Sequence, residues 1–130
     1  MTGASWPLQV AILAALRPAL APVAVLDDVP QGRAFPYVVI GEDVTTPGPL
    51  VDADAEEIDA TLHVWSRYAG RKEAKKLMGA IKAALHDQPL PVVGHDLVLL
   101  RFAFETLFLE PDGLTRHGVL RFRALLLPSA

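Results

Sequence analysis

Two long extended runs near the C-terminus, residues 97–109 and 114–127, limit what this chain can become more than any other feature. They are joined through Pro111-Asp112-Gly113, a turn-forming string, and so read as an antiparallel hairpin. Each run holds about thirteen residues and reaches roughly 40 Å, about twice the common strand length. A hairpin of that span crosses or overshoots a single small domain. Alternation puts Val98, Leu100, Phe102, Phe104 and Phe108 on one face, opposed by Leu120, Phe122, Ala124 and Leu126. Matching those faces requires a loop of three or five residues. Three would set Arg101 opposite Arg123, whereas five set Glu105 opposite Arg121. Like charges directly opposite are unfavourable, so the five-residue register is expected.

What precedes the hairpin supplies its partners. Ser5 caps a first helix over residues 5–17, with Pro7 in the first turn and Leu8, Ile12, Ala15 and Leu16 on one face. Val10, Ala11 and Leu13 make its other faces apolar too, so more than one side is covered, by the sheet and a loop or by another subunit. Pro18, Pro22 and Pro30 then break the chain before a short strand, Tyr37-Val38-Val39-Ile40. Residues 42–59 carry seven acids and no base around Pro47-Gly48-Pro49, the signature of an exposed acidic loop. A second strand follows, where Ile58, Ala60, Leu62 and Val64 alternate with Asp59, Thr61 and His63. A second helix spans residues 71–85, with Ala74, Leu77, Met78, Ile81 and Leu85 inward. Arg71, Lys72, Lys75, Lys76 and Lys82 lie mostly on its other side. The fold class is therefore α+β: a mainly antiparallel sheet with a long C-terminal hairpin and two helices packed on it. Its 130 residues form one domain, residues 1–130.

Composition excludes several function classes. Apolar residues at 52% with a net charge of −3 argue against disorder and against a protein that coats nucleic acid. There is no cysteine, which removes disulfide scaffolds, thiolate zinc sites and cysteine nucleophiles. The apolar run at residues 10–16 is preceded by no Lys or Arg and interrupted by Arg17 and Pro18, so neither a leader nor a membrane span is expected. His63, His86, His95 and His117 show no metal-ligand spacing. Asp59, His63 and Ser66 suggest a catalytic triad, but alternation puts Ser66 on the opposite face. Neither Gly113 nor Gly118 belongs to a phosphate-binding loop. The string Arg116 to Arg123 has the basic–aromatic look of an RNA-binding strand, yet its one ring, Phe122, falls on the apolar face, so it is expected in the core. No cofactor, metal or catalytic group is expected.

What remains is a separation of charge between the acidic stretch, with Asp43, Asp52 and Asp54, and the basic helix, with Arg71, Lys72, Lys75 and Lys76. Two unlike patches on one small domain suit a head-to-tail contact that closes into a ring. These seven residues are the expected interface. The rival expectation is a small nucleic-acid-binding module using the second helix.

Several strings resemble one family. They are Val29-Pro30-Gln31-Gly32 with Phe35-Pro36-Tyr37-Val38, Leu62-His63-Val64-Trp65-Ser66-Arg67, Ala83-Ala84-Leu85-His86, and Asp112-Gly113 with Arg116-His117-Gly118-Val119-Leu120-Arg121-Phe122-Arg123. In order and spacing they resemble the tail-completion or tail-terminator proteins of long-tailed phages and gene transfer agents. The likeness covers nearly the whole chain and is weakest over residues 43–55. It implies a structural protein without enzyme activity, a homohexameric ring at the head–tail junction of a virion assembled in the bacterial cytoplasm. Such a ring binds the end of the tail tube protein, stops tube growth and meets the head–tail connector or stopper protein. DNA only passes through its hole, and no membrane is involved. A modestly negative wall would not hold the DNA phosphates.

Overall fold

The computed structural model describes residues 3–49 and 54–129. Seven elements follow in order: α1 (Ser5–Leu20), β1 (Ala24–Leu26), β2 (Tyr37–Pro47), β3 (Glu56–Ser66), α2 (Lys72–Leu85), β4 (His95–Leu109) and β5 (Arg116–Pro128). The strands form one sheet in the order β1-β2-β3-β5-β4, antiparallel except for the β1–β2 pair. This is the expected α+β architecture with its C-terminal hairpin.

One core joins the helices to one face of the sheet. Leu8, Ile12 and Leu16 of α1 and Ala74, Met78, Ile81 and Leu85 of α2 are buried with Val38, Ile58, Leu62, Val64, Leu120, Phe122 and Leu126. The even-numbered positions of β3 and β5 thus point at the helices, as the period-2 pattern requires. Phe122 is fully buried and meets Phe102 edge-on at 5.9 Å, so it is a core residue. Gly118 lets α2 approach β5 closely, because a Cβ there would stand 2.7 Å from Met78 Sδ. α1 keeps Trp6 and Val10 exposed, so the sheet and α2 cover only part of its apolar surface.

Five expectations need correction. The first helix runs on to Leu20 through Pro18, whose missing N–H removes one helical bond in the last turn while Leu20 gains burial. Ser5 does not cap it: the cap position is Ala4, whose N–H donates to Glu56 Oε1 at 2.9 Å, while Ser5 Oγ donates to Asp43 Oδ2 at 2.9 Å. The chain between the prolines contains β1, three residues that pair parallel with β2. The acidic stretch is mostly strand: β2 continues to Pro47 and β3 begins at Glu56, with Gly48 N–H donating to Ala55 O at 2.7 Å between them. Pairing overrides the low strand propensity of the acids because none of the described acidic side chains in it is buried.

The fifth correction is the register of the hairpin. Leu109 pairs with Arg116, and two bulges, between Phe102 and Phe104 and between Leu97 and Leu99, shift the pairing as the strands run back. Arg101 consequently opposes Arg123, the arrangement that charge alone disfavours, and Phe104 rather than Glu105 opposes Arg121. The two guanidinium groups are compatible because each has its own acid: Arg101 Nε donates to Asp87 at 3.3 Å, Arg123 Nε to Asp59 at 3.0 Å. The bulges also divide the expected aromatic face. Leu100 and Phe102 stay with the core, whereas Val98, Phe104 and Phe108 are 53%, 42% and 41% exposed.

The turn of the hairpin is tied down by one side chain. Asp112 Oδ1 accepts from the N–H groups of Leu114 and Thr115, both at 2.8 Å, and Oδ2 accepts from Thr115 Oγ1 at 2.7 Å. These bonds, with the Thr115 hydroxyl first, lower the Asp112 pKa from 3.8 to about 2. A depressed carboxyl stabilises the fold above its unfolded pKa and stops doing so as pH falls from 3.8 toward about 2. Asp112→Ala is expected to lower the melting temperature at neutral pH and to erase that part of the acid transition. Paired thermal melts of the two proteins check this.

Candidate assembly interface

Helix α2 presents its cations because its apolar stripe is fixed against the sheet. With Ala74, Leu77, Met78, Ile81 and Leu85 buried, Arg71, Lys72, Lys75 and Lys76 are forced outward and are exposed. Among the described residues none of these four side chains has a hydrogen bond or ion pair. Glu73, which could have balanced them, is turned inward and accepts from Ser66 Oγ at 2.7 Å. Lys82, further along the helix, is neutralised by Glu105 of β4 and lies over the Phe102 ring at 5.0 Å. Between helix and strand runs an open groove of about 470 Å³, lined by Arg71, Lys75, Met78, Lys82, Glu105, Thr106 and Leu107.

The acids of the other patch are less uniform. Asp43 and Asp54 are exposed, but Asp43 accepts from Ser5, and Glu42, Glu56, Glu57 and Asp59 each have a partner. Asp54 alone of the described acids in this stretch has none, and Asp52 lies outside the described residues. The two patches sit near opposite ends of β3: the acids flank its start at Glu56, and α2 is bonded to its end at Ser66. Eleven strand residues separate those ends by on the order of 30 Å. The patches do not meet within one chain.

A second constellation was not visible in the histidine spacing. On the sheet face away from the helices, His63 Nδ1 and His117 Nε2 share a hydrogen bond of 2.7 Å. Outward from the pair, His117 Nδ1 bonds Glu110 Oε1 at 2.7 Å and His63 Nε2 bonds Glu42 Oε1 at 3.1 Å. Trp65 stacks on His117 at 3.8 Å and Phe108 packs at 4.9 Å. Gly41 admits the His63 ring, since a Cβ there would stand 2.5 Å from it. The two histidines are 54 residues apart and only strand pairing unites them. The triad reading fails as expected, because Ser66 is on the helix face and Asp59 bonds Arg123. Among the described residues no group of three or more His, Asp or Glu could hold a metal ion.

The facing nitrogens of His63 and His117 share one proton, and which ring donates it depends on the tautomer. Burial, the largest influence, pushes the His117 pKa below 6.5, against the opposing pull of Glu110. A base with a depressed pKa leaves the unfolded chain binding more protons, so its stabilising contribution is intact above 6.5 and lost as pH falls below it. His117→Phe is expected to show a smaller fall in melting temperature than the parent between about pH 7.5 and pH 5. Equal falls would mean that His117 does not govern acid stability.

Comparison with known proteins places these surfaces in a family. A family model described as tail completion protein gp17 matches residues 10–127. The tail completion protein gp17 of Bacillus phage SPP1 is 32% identical over 89 residues, spanning 68% of this chain and 66% of that relative. Among solved structures, a chain in the virion of a native gene transfer agent particle is similar with a TM-score of 0.86 at 24% identity, over 98% of this chain and 99% of that one. The structure of bacteriophage SPP1 gp17 is similar with a TM-score of 0.64 at 28% identity, over 98% and 91%. By the family match over nearly its whole length, this chain belongs to the tail completion protein gp17 family.

Proposed function

We propose that this protein assembles as a homohexameric ring at the head–tail junction of a virion or gene transfer agent particle. The ring caps the tail tube, ends its polymerisation and presents a docking surface to the head connector or stopper, while DNA passes through its hole. The observation that carries the reading is a row of exposed cations on α2 without partners, on a chain of the tail completion family. An acidic arm at the far end of the same sheet offers the opposite charge, and unlike patches on one subunit generate a head-to-tail contact that closes when the rotation divides a full turn. Asp43, Asp52, Asp54, Arg71, Lys72, Lys75 and Lys76 form that contact.

Light scattering coupled to electron microscopy, with and without tail tube protein, tests the role. The expected result is an annulus of six-chain mass, formed alone or on tube ends, and tubes that no longer lengthen once it is bound. A monomer that ignores tube ends but binds DNA with steep salt dependence would replace the ring by a nucleic-acid module.

A further inference from the structure

The sheet has two borders that are each open over part of their length. β1 pairs with β2 at Tyr37, Val38 and Val39 alone, so along residues 41–47 no described strand lies against the outer side of β2. On β4, Asp87 N–H donates to Leu100 O at 2.8 Å and Phe102 N–H donates to His86 Nδ1 at 3.0 Å. Along residues 103–109, among the described residues, no hydrogen bond from outside the sheet reaches that edge. We propose that the free part of β2 in one copy of the chain pairs antiparallel with the free part of β4 in the next, so that the sheet runs on from subunit to subunit. The inference rests on the ring reading above and names the contact that closes it.

Direction, side and stagger select a second copy as the occupant. Neighbouring strands from β2 through β3 and β5 to β4 are antiparallel, so a following β2 that continues the sheet runs opposite to β4. The sides match as well. Asp43 opposes Ala60 and bonds Ser5 of α1, which puts it on the helix side with Glu105 and Leu107. Val44 is exposed on the other side, as are Phe104 and Phe108. Setting Val44 opposite Thr106 places it between those two rings and brings Asp43 opposite Leu107, in the groove where the Arg71 and Lys75 side chains have no described partner. Within one chain Val44 is level with Arg101, through Asp59 and Arg123. Reaching Thr106 therefore means a slide of about five residues, or about 17 Å, across four strand spacings that total about 19 Å. The resulting strand tilt of roughly 40° lies in the range at which sheets close on themselves. Main-chain bonds supply affinity, and the pairing of Asp43 with the two cations sets register.

The absence of cysteine makes the test direct. Val44→Cys and Thr106→Cys proteins, both changed at exposed sites, are mixed under mild oxidation with and without tail tube protein. Val44→Cys mixed with Val93→Cys, at a still more exposed site, is the control. Residues directly opposite in an antiparallel pair have Cα atoms about 4.5–5.5 Å apart, within reach of a disulfide. The expected yield of the Val44–Thr106 link is about tenfold that of the control. Equal yields, no link in either condition, or dominance of the Val44–Val44 link would overturn the proposal. A second measurement exchanges charge. Arg71→Glu with Lys75→Glu should weaken association at least about tenfold, and adding Asp43→Lys should recover most of that loss. Failure to recover counts against the contact. A ring that forms without the link closes through another surface, which overturns the proposal and leaves the ring reading standing. The link without any ring, on tube ends included, supports the edge contact and removes the ring.

Discussion

Lys72→Glu, Lys75→Glu and Lys76→Glu introduced together are expected to abolish the annulus while leaving the subunit folded. The three side chains are exposed and unpaired, so within the monomer their replacement breaks nothing. Surface changes of this kind stay within about 0.5 kcal/mol each, and acids in the first turns of a helix interact favourably with its N-terminal dipole. At a contact with an acidic partner the same changes replace attraction by repulsion, which costs several kcal/mol. A ring repeats that cost at every interface. Scattering mass and negative-stain images should therefore show single subunits, and circular dichroism melts should overlay those of the parent. An intact ring would remove α2 from the interface, and a collapsed melt would show that the cations serve the fold.

The largest effect on stability is expected at Phe122. Its ring is fully buried on β5, packed edge-on to Phe102 beneath both helices. Phe122→Ala should cost about 3–5 kcal/mol, a large share of the roughly 5–15 kcal/mol that holds a domain together. Phe104→Ala, only two positions beyond Phe102, should cost less than about 1 kcal/mol, because that ring is 42% exposed on the other face, where Arg121 covers it at 5.4 Å. Urea denaturation of the two variants measures the difference. Comparable losses would mean that the bulge between Phe102 and Phe104 does not reverse the faces as described.

That contrast marks where sequence reasoning stops. The alternation in β3, the inward stripe of α2 and the existence of the hairpin were legible, because each is a periodicity carried by neighbouring residues. The hairpin register was not. A bulge leaves no local mark in a run such as Leu97 to Leu109, yet each one moves the following side chains to the other face. Charge misplaced Arg101 and Arg123 for a related reason: their acids, Asp87 and Asp59, come from a loop and a strand distant in sequence. The cationic face of α2 was readable from helical spacing, whereas the His63–His117 pair depends on a cross-strand alignment that no spacing rule encodes. The acidic stretch misled because acids are rare in strands, and only its pairing partners reveal that most of it is sheet.

The cover that His86 and Asp87 lay over part of β4 bears on how such a subunit survives in a crowded cell before it is used. A fifteen-residue border left wholly bare would template endless fibrils from any passing strand. With the stretch near Leu100 sealed and the pairing shifted by the bulge between Phe102 and Phe104, the border offers a shorter template for indiscriminate stacking. The same few residues thereby restrict what this border can pair with.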